Sequence, residues 1–162
     1  MREAVVPVFG ERLPGVTYVV RPSAYCIIEN RQGEIAAALT PSGLILPGGG
    51  IEAGETPEET IVRESREECG LVVRPAGEVA RATQFIYSPS ERTYYEKPSV
   101  FLRALLEGET AAVEEDHELL WLRPEAAAPR MYHESHGWVL GEYQENLVAA
   151  DPNEFLPKER VP

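Results

Sequence analysis

The chain has 162 residues, 27 acidic and 15 basic, for a formal net charge of −12. With 43% hydrophobic and 26% charged residues it cannot be disordered throughout, and its length suits one domain able to bury about 70% of its unfolded surface. The acidic balance excludes a protein held to extended nucleic acid by a broad basic face, whereas a small phosphorylated ligand brought in with a metal cation fits it.

Met1 to Pro7 lacks the apolar core of ~7–15 residues that a secretory signal needs. No run approaches the ~18 apolar residues of a membrane span, so no membrane partner is expected. Cys26 and Cys69 are too few for a disulfide framework, and both read as small buried hydrophobes in a reducing, cytoplasmic setting.

In chain order, Thr17 to Arg21 and Ala24 to Glu29 are rich in Val, Ile, Tyr and Cys and predict strands. Asn30-Arg31-Gln32-Gly33 then turns the chain into Glu34 to Thr40, which predicts a hairpin. Leu44-Ile45-Leu46 is a short apolar run stopped by Pro47-Gly48-Gly49-Gly50. Thr56 opens the clearest helix: it stands in capping-box spacing with Glu59, Pro57 occupies the first helical position, and Gly70 is a left-handed cap. Val72 to Ala76, Glu78 to Tyr87 and Tyr94 to Leu106 predict extended chain, with Pro98 suggesting an edge or bulge. Glu118 to Leu122 is a short strand and Glu134 to Ala149 a final helix, carrying Trp138, Val139, Tyr143 and Leu147. Residues 1–150 therefore form one mixed-sheet α/β domain, and Asp151 to Pro162 a proline-containing tail.

The central helix carries the chemistry. Ile61, Val62, Ser65 and Cys69 fall on one arc, the core stripe. Glu64, Glu67 and Glu68 fall together on the adjoining arc at i, i+3 and i+4, a spacing that costs a few tenths of a kcal/mol per like-charged pair. On spacing alone this is either a solvated acidic face beside Arg63 and Arg66 or a carboxylate nest for a hard divalent cation. The glycines ahead of the helix allow sharp turns and close approach of a ligand. No Gly-Lys-Ser/Thr follows them, so they are not a Walker loop.

Residues 49 to 71 resemble the Nudix box, G-x5-E-x7-R-E-U-x-E-E-x-G-U, through Gly49, Glu55, Arg63, Glu64, Glu67, Glu68, Gly70 and Leu71. The one departure is Ser65 at an aliphatic position; its hydroxyl can bond back to the Ile61 carbonyl, and slightly looser packing without loss of the chemistry is expected. The early strands, the Leu-Pro-Gly-Gly-Gly entry, the late strand at Trp121 and the C-terminal helix extend the resemblance over most of the chain.

The resemblance implies a Nudix-type α/β/α sandwich with a mixed central sheet, and hydrolysis of a phosphoanhydride in a nucleoside diphosphate linked to another moiety. It implies Mg2+, or Mn2+, held by Glu64, Glu67 and Glu68, with one of these or a loop carboxylate taking the proton of the attacking water. Arg63 is expected to pair with Glu55 in a supporting role, and Gly49 and Gly50 to lie near the phosphates. A further acidic group in this family often precedes a late strand. Counting back from Trp121, Glu115 is the first candidate for a catalytic and metal-binding carboxylate and Glu118 the second, a solvated loop being the alternative.

Tyr87 lies 16 positions after Leu71, a spacing at which a Tyr is found in Nudix hydrolases of diadenosine polyphosphates, so it is the candidate substrate-stacking residue against plain strand packing. Pro89 lies near, but off, the position that marks ADP-ribose hydrolases. His133 and His136 lack the spacing of His-Glu-x-x-His and read first as packing or capping residues. The expected partner is a small nucleotide rather than extended nucleic acid, with monomer and homodimer both open. A non-catalytic nucleotide-sensing domain and an ADP-ribose pyrophosphatase are the alternatives.

Overall fold

A computed structural model describes residues 5–112 and 114–149. The elements are β1 (Val8–Phe9), β2 (Val19–Val20), β3 (Ser23–Ile28), β4 (Ile35–Thr40), β5 (Gly43–Ile45), β6 (Gly48–Gly50), α1 (Pro57–Cys69), β7 (Leu71–Ser88), β8 (Thr93–Glu109), β9 (Glu118–Leu122), α2 (Pro124–Ala127) and α3 (Glu134–Ala149), with a 3-10 turn at Ala128–Arg130 between the last two. One sheet runs β1-β7-β8-β3-β6, with β2 also on β8, and a smaller one runs β5-β4-β9. The larger sheet is mixed: β3 lies parallel to β8 and antiparallel to β6.

All of β3 is buried, and its alternation divides the core. Ala24, Cys26 and Ile28 join Ile61 and Cys69 of α1, while Tyr25 and Ile27 join Val139, Leu140 and Tyr143 of α3. Helices thus cover both faces, the α/β/α sandwich with a mixed central sheet that the sequence implied. The expected tail, residues 151–162, lies outside the described residues.

Four local readings change. The Asn30 turn forms, its Oδ1 accepting from the amides of Gln32 and Glu34, but β3 and β4 enter different sheets and share one bridge, Glu29 to Ile35, instead of a hairpin ladder. Gly48–Gly50 is a strand against Ser23 to Tyr25, not a bare turn. The two stretches read around Gly77 are one strand, β7, with register shifts at Pro75 to Ala80. β8 is interior; Pro98 sits where its neighbour changes from β2 to β3, so the missing N–H falls in a gap between partners.

Helix α1 has the ends its sequence announced. Thr56 Oγ1 accepts from the Glu59 amide at 3.1 Å and Glu59 Oε1 from the Thr56 amide at 3.3 Å. Gly70 adopts φ 64° and donates to the Arg66 carbonyl. A Cβ there would come 2.3 Å from the Thr110 carbonyl oxygen, whose own amide donates to Gly70 O. Gly70→Ala therefore combines left-handed strain with a backbone clash, and is expected to cost about 2 kcal/mol, read as a thermal midpoint lower by about 5 °C. An unchanged midpoint would mean the 110 loop does not press on this cap.

Candidate active site

The carboxylates of α1 face β6, and glycine is what lets them approach. A Cβ on Gly49 would stand 3.0 Å from Glu64 Oε1, and one on Gly48, at φ 148°, 2.2 Å from the Ala24 carbonyl oxygen. The Gly48 amide donates to Glu68 Oε1 at 2.9 Å. Gly50 is covered instead by the Arg21 guanidinium, whose Nε lies 2.5 Å from where a Cβ would be.

Arg63 organises the entry to this face. Its Nε donates to Glu55 Oε2 at 2.8 Å and its Nη2 to Glu55 Oε1 at 3.0 Å, a bidentate fork. The expected Arg63–Glu55 pair is thus formed. Nη1 reaches Glu64 at 2.8 Å and Glu67 at 3.4 Å, and Nη2 the Gly50 carbonyl at 3.3 Å. The guanidinium, helped by the Thr60 hydroxyl, holds the Glu55 carboxyl down to about 2.

The ridge of Glu64, Glu67 and Glu68 is not a solvated face. Glu68 is 4% exposed and Glu64 15%, with Glu67 the open member at 38%. Burial, and then the neighbouring charges of Glu64 and Glu114, push the Glu68 carboxyl up to about 9. Burial raises Glu64 also, against the pull of Arg63. A buried, crowded carboxylate set of this kind is stabilised by positive charge. Among the described residues, ligand atoms of Glu64, Glu67 and Glu114, and of Glu68, Glu114 and His117, lie within 4.8 Å of one another in each set. Oxygen-rich donors at that separation suit a divalent cation.

The loop carboxylate that reaches the nest is Glu114, not Glu115. The Glu114 amide donates to the Glu67 carbonyl at 3.0 Å, which pins the loop to the last turn of α1. Glu115 lies exposed on the turn and Glu118 exposed at the start of β9. His117 was not singled out by its sequence; it is 15% exposed and stands between Glu68, Glu114 and Asp116. The signal was present in the run Glu114-Glu115-Asp116-His117, where the one nitrogen donor is a conspicuous neighbour for a carboxylate nest.

Tyr87 is 41% exposed near the end of β7, its ring 4.6 Å from that of Tyr94. His133 and His136 pack in the core on the α3 side. His136 Nδ1 accepts from the Leu46 amide at 3.1 Å, its ring stands 4.3 Å from Tyr25, and burial holds both imidazoles neutral, His133 at about 3. Ser65 is fully buried, and its hydroxyl meets Cys26 Sγ at 3.3 Å rather than turning back to Ile61.

Comparison with known proteins agrees with this geometry. The family described as NUDIX domain matches residues 19–142. An RNA pyrophosphohydrolase of Mannheimia succiniciproducens is 33% identical over 85 residues, 51% of this chain and 40% of that protein. The 8-oxo-dGTP diphosphatase of Escherichia coli is 47% identical over 51 residues, 28% of this chain and 40% of that protein. The chain thus spans well under half the length of these curated relatives. A MutT protein from Methanosarcina mazei superposes with a TM-score of 0.65 at 17% identity, over 82% of this chain and 99% of that one, which shows the fold. No described helix is long and apolar enough to cross a membrane.

Proposed function

The chain belongs to the NUDIX family, and on that premise we propose that it is a divalent-metal-dependent pyrophosphohydrolase acting on a small nucleotide. The observation that carries this reading is the convergence of Glu64, Glu67, Glu68 and Glu114 beside a helix held in place by the Arg63–Glu55 fork. Such a set repels a diphosphate unless cations stand between them. Mg2+, or Mn2+, held by these four residues would neutralise phosphate charge and lower the pKa of a bound water. The chain's own part is positioning: Arg63 fixes the carboxylates, the glycines of β6 let Glu64 and Glu68 pack closely against the strand, and the carboxylates supply a proton acceptor. Glu114 takes the role first expected of Glu115.

The substrate class is a nucleoside diphosphate carrying a further phosphorylated group. The relative named 8-oxo-dGTP diphosphatase favours a triphosphate over ADP-ribose. Tyr87, open to solvent, remains our choice for base stacking. Two buried thiols, Cys26 and Cys69, both unpaired and pushed up to about 12 by burial, suit a cytoplasmic setting.

The test is a screen of nucleoside triphosphates, dinucleoside polyphosphates, ADP-ribose and 5′-triphosphate RNA with Mg2+ or Mn2+, products identified by mass. Turnover is expected only with the cation, and should fall at least about tenfold in Glu114→Gln while Glu115→Gln stays near wild type. Tight nucleotide binding with no turnover at any cation concentration would instead establish a sensing domain.

A further inference from the structure

The two sets of ligand atoms that share Glu114 differ in chemistry. Glu64, Glu67 and Glu114 offer oxygen alone, whereas Glu68, Glu114 and His117 include an imidazole nitrogen. Hard Mg2+ takes oxygen ligands and holds its waters; imidazole suits the transition divalents, and Mn2+ accepts both.

The two nitrogens of His117 are unequal. Nδ1 lies 2.8 Å from Asp116 Oδ1 and 3.0 Å from Glu114 Oε2. Among the described residues, Nε2 faces Glu68 Oε2 at 3.4 Å, well beyond the ~2.7–2.9 Å of a charge-assisted bond. A ligating histidine is commonly arranged in this way, one nitrogen fixed by a carboxylate and the other turned to the ion. Helix α1 supplies Glu68, and the loop tied to its last turn by the Glu114 amide supplies the rest.

We propose that His117, oriented through Nδ1 by Asp116 and Glu114, ligates the divalent cation through Nε2 beside Glu68, so that this site holds Mn2+ in preference to Mg2+. The proposal rests on the metal-dependent reading above and deepens it by assigning the ion. Asp116 is a positioning residue: it fixes the imidazole and has no place among the ligands.

The full chain titrated with Mn2+ alone, without nucleotide, provides the test. The sequence has three histidines; His136 is buried against Tyr25 and Phe101 on the α3 side, and His133 is buried against His136. Imidazole nitrogen coupled to bound Mn2+, seen by electron spin echo envelope modulation, therefore reports His117. The coupling is expected in the wild-type chain and absent in His117→Gln, with Mn2+ affinity lower by at least about tenfold and Mg2+ affinity changed by less than about threefold. Asp116→Asn should keep the coupling while weakening Mn2+ binding. Wild-type protein that binds Mn2+ without imidazole coupling overturns the assignment of His117 and leaves the hydrolase reading standing. No bound Mn2+ at all overturns both. The wild-type spectrum decides even if a variant fails to fold.

Discussion

Glu68→Gln is expected to lower turnover by at least about 100-fold while making the metal-free protein more stable above neutral pH. The two effects have one cause. Glu68 is 4% exposed, and its carboxyl is raised from an ordinary 4.5 to about 9, first by burial and then by Glu64 and Glu114. Between those values the unfolded chain has lost the proton and the folded chain keeps it. The folded state then binds more protons, so stability is full below about pH 4.5 and falls as pH rises toward 9, by up to about 1.4 kcal/mol per unit. Glutamine has no proton to lose and can still accept from the Gly48 amide. Thermal midpoints of both proteins from pH 5 to 9 should diverge without a divalent ion, the variant being the more stable. With the ion present the order should reverse, because only the wild type gains from binding it. A variant that is merely misfolded would lose both activity and stability. Parallel pH profiles, or turnover within about tenfold of wild type, would remove Glu68 from the site.

Local features of this chain were legible and distant ones were not. Thr56, Pro57, Glu59 and Gly70 fix helix α1 from within its own sequence, and the i, i+3, i+4 spacing puts Glu64, Glu67 and Glu68 on one ridge whatever surrounds it. That spacing is silent on burial, which separates a solvated face from a cation nest. The hairpin reading failed for the same reason. The Asn30 turn is a local device and formed, but the partner of β3 is decided by two flanking strands, β6 and β8, that between them cover all six of its residues. Glu114 was missed by one position because counting from Trp121 assumes regular chain up to β9. The loop is instead fixed from the other side, by the Thr110 amide on the Gly70 carbonyl and the Glu114 amide on the Glu67 carbonyl. Ser65 found its partner in Cys26, 39 residues away, where helix periodicity offers no guide.

Arg63→Ala is expected to lower kcat by about 100-fold with a smaller change in KM, since Arg63 works by holding carboxylates in place. Its fork spans Glu55, and its remaining nitrogen holds Glu64 and Glu67, which otherwise repel each other across one helical turn. Arg63→Lys keeps the charge and loses the fork, so it should recover only part of the rate. A second readout separates this role from simple loss of stability. Glu55 sits at about 2 because of Arg63, below its ordinary 4.5, so its pairing stabilises the fold above about pH 4.5 and that contribution is lost as pH falls toward 2. In Arg63→Ala this acid-side slope should flatten, because among the described residues the Thr60 hydroxyl and the Glu52 amide are then the donors Glu55 keeps. Thermal midpoints between pH 2 and 5, set beside kcat and KM near pH 8, measure both. An unaltered acid slope together with a slow enzyme would show that Arg63 acts on the substrate directly and not through Glu55.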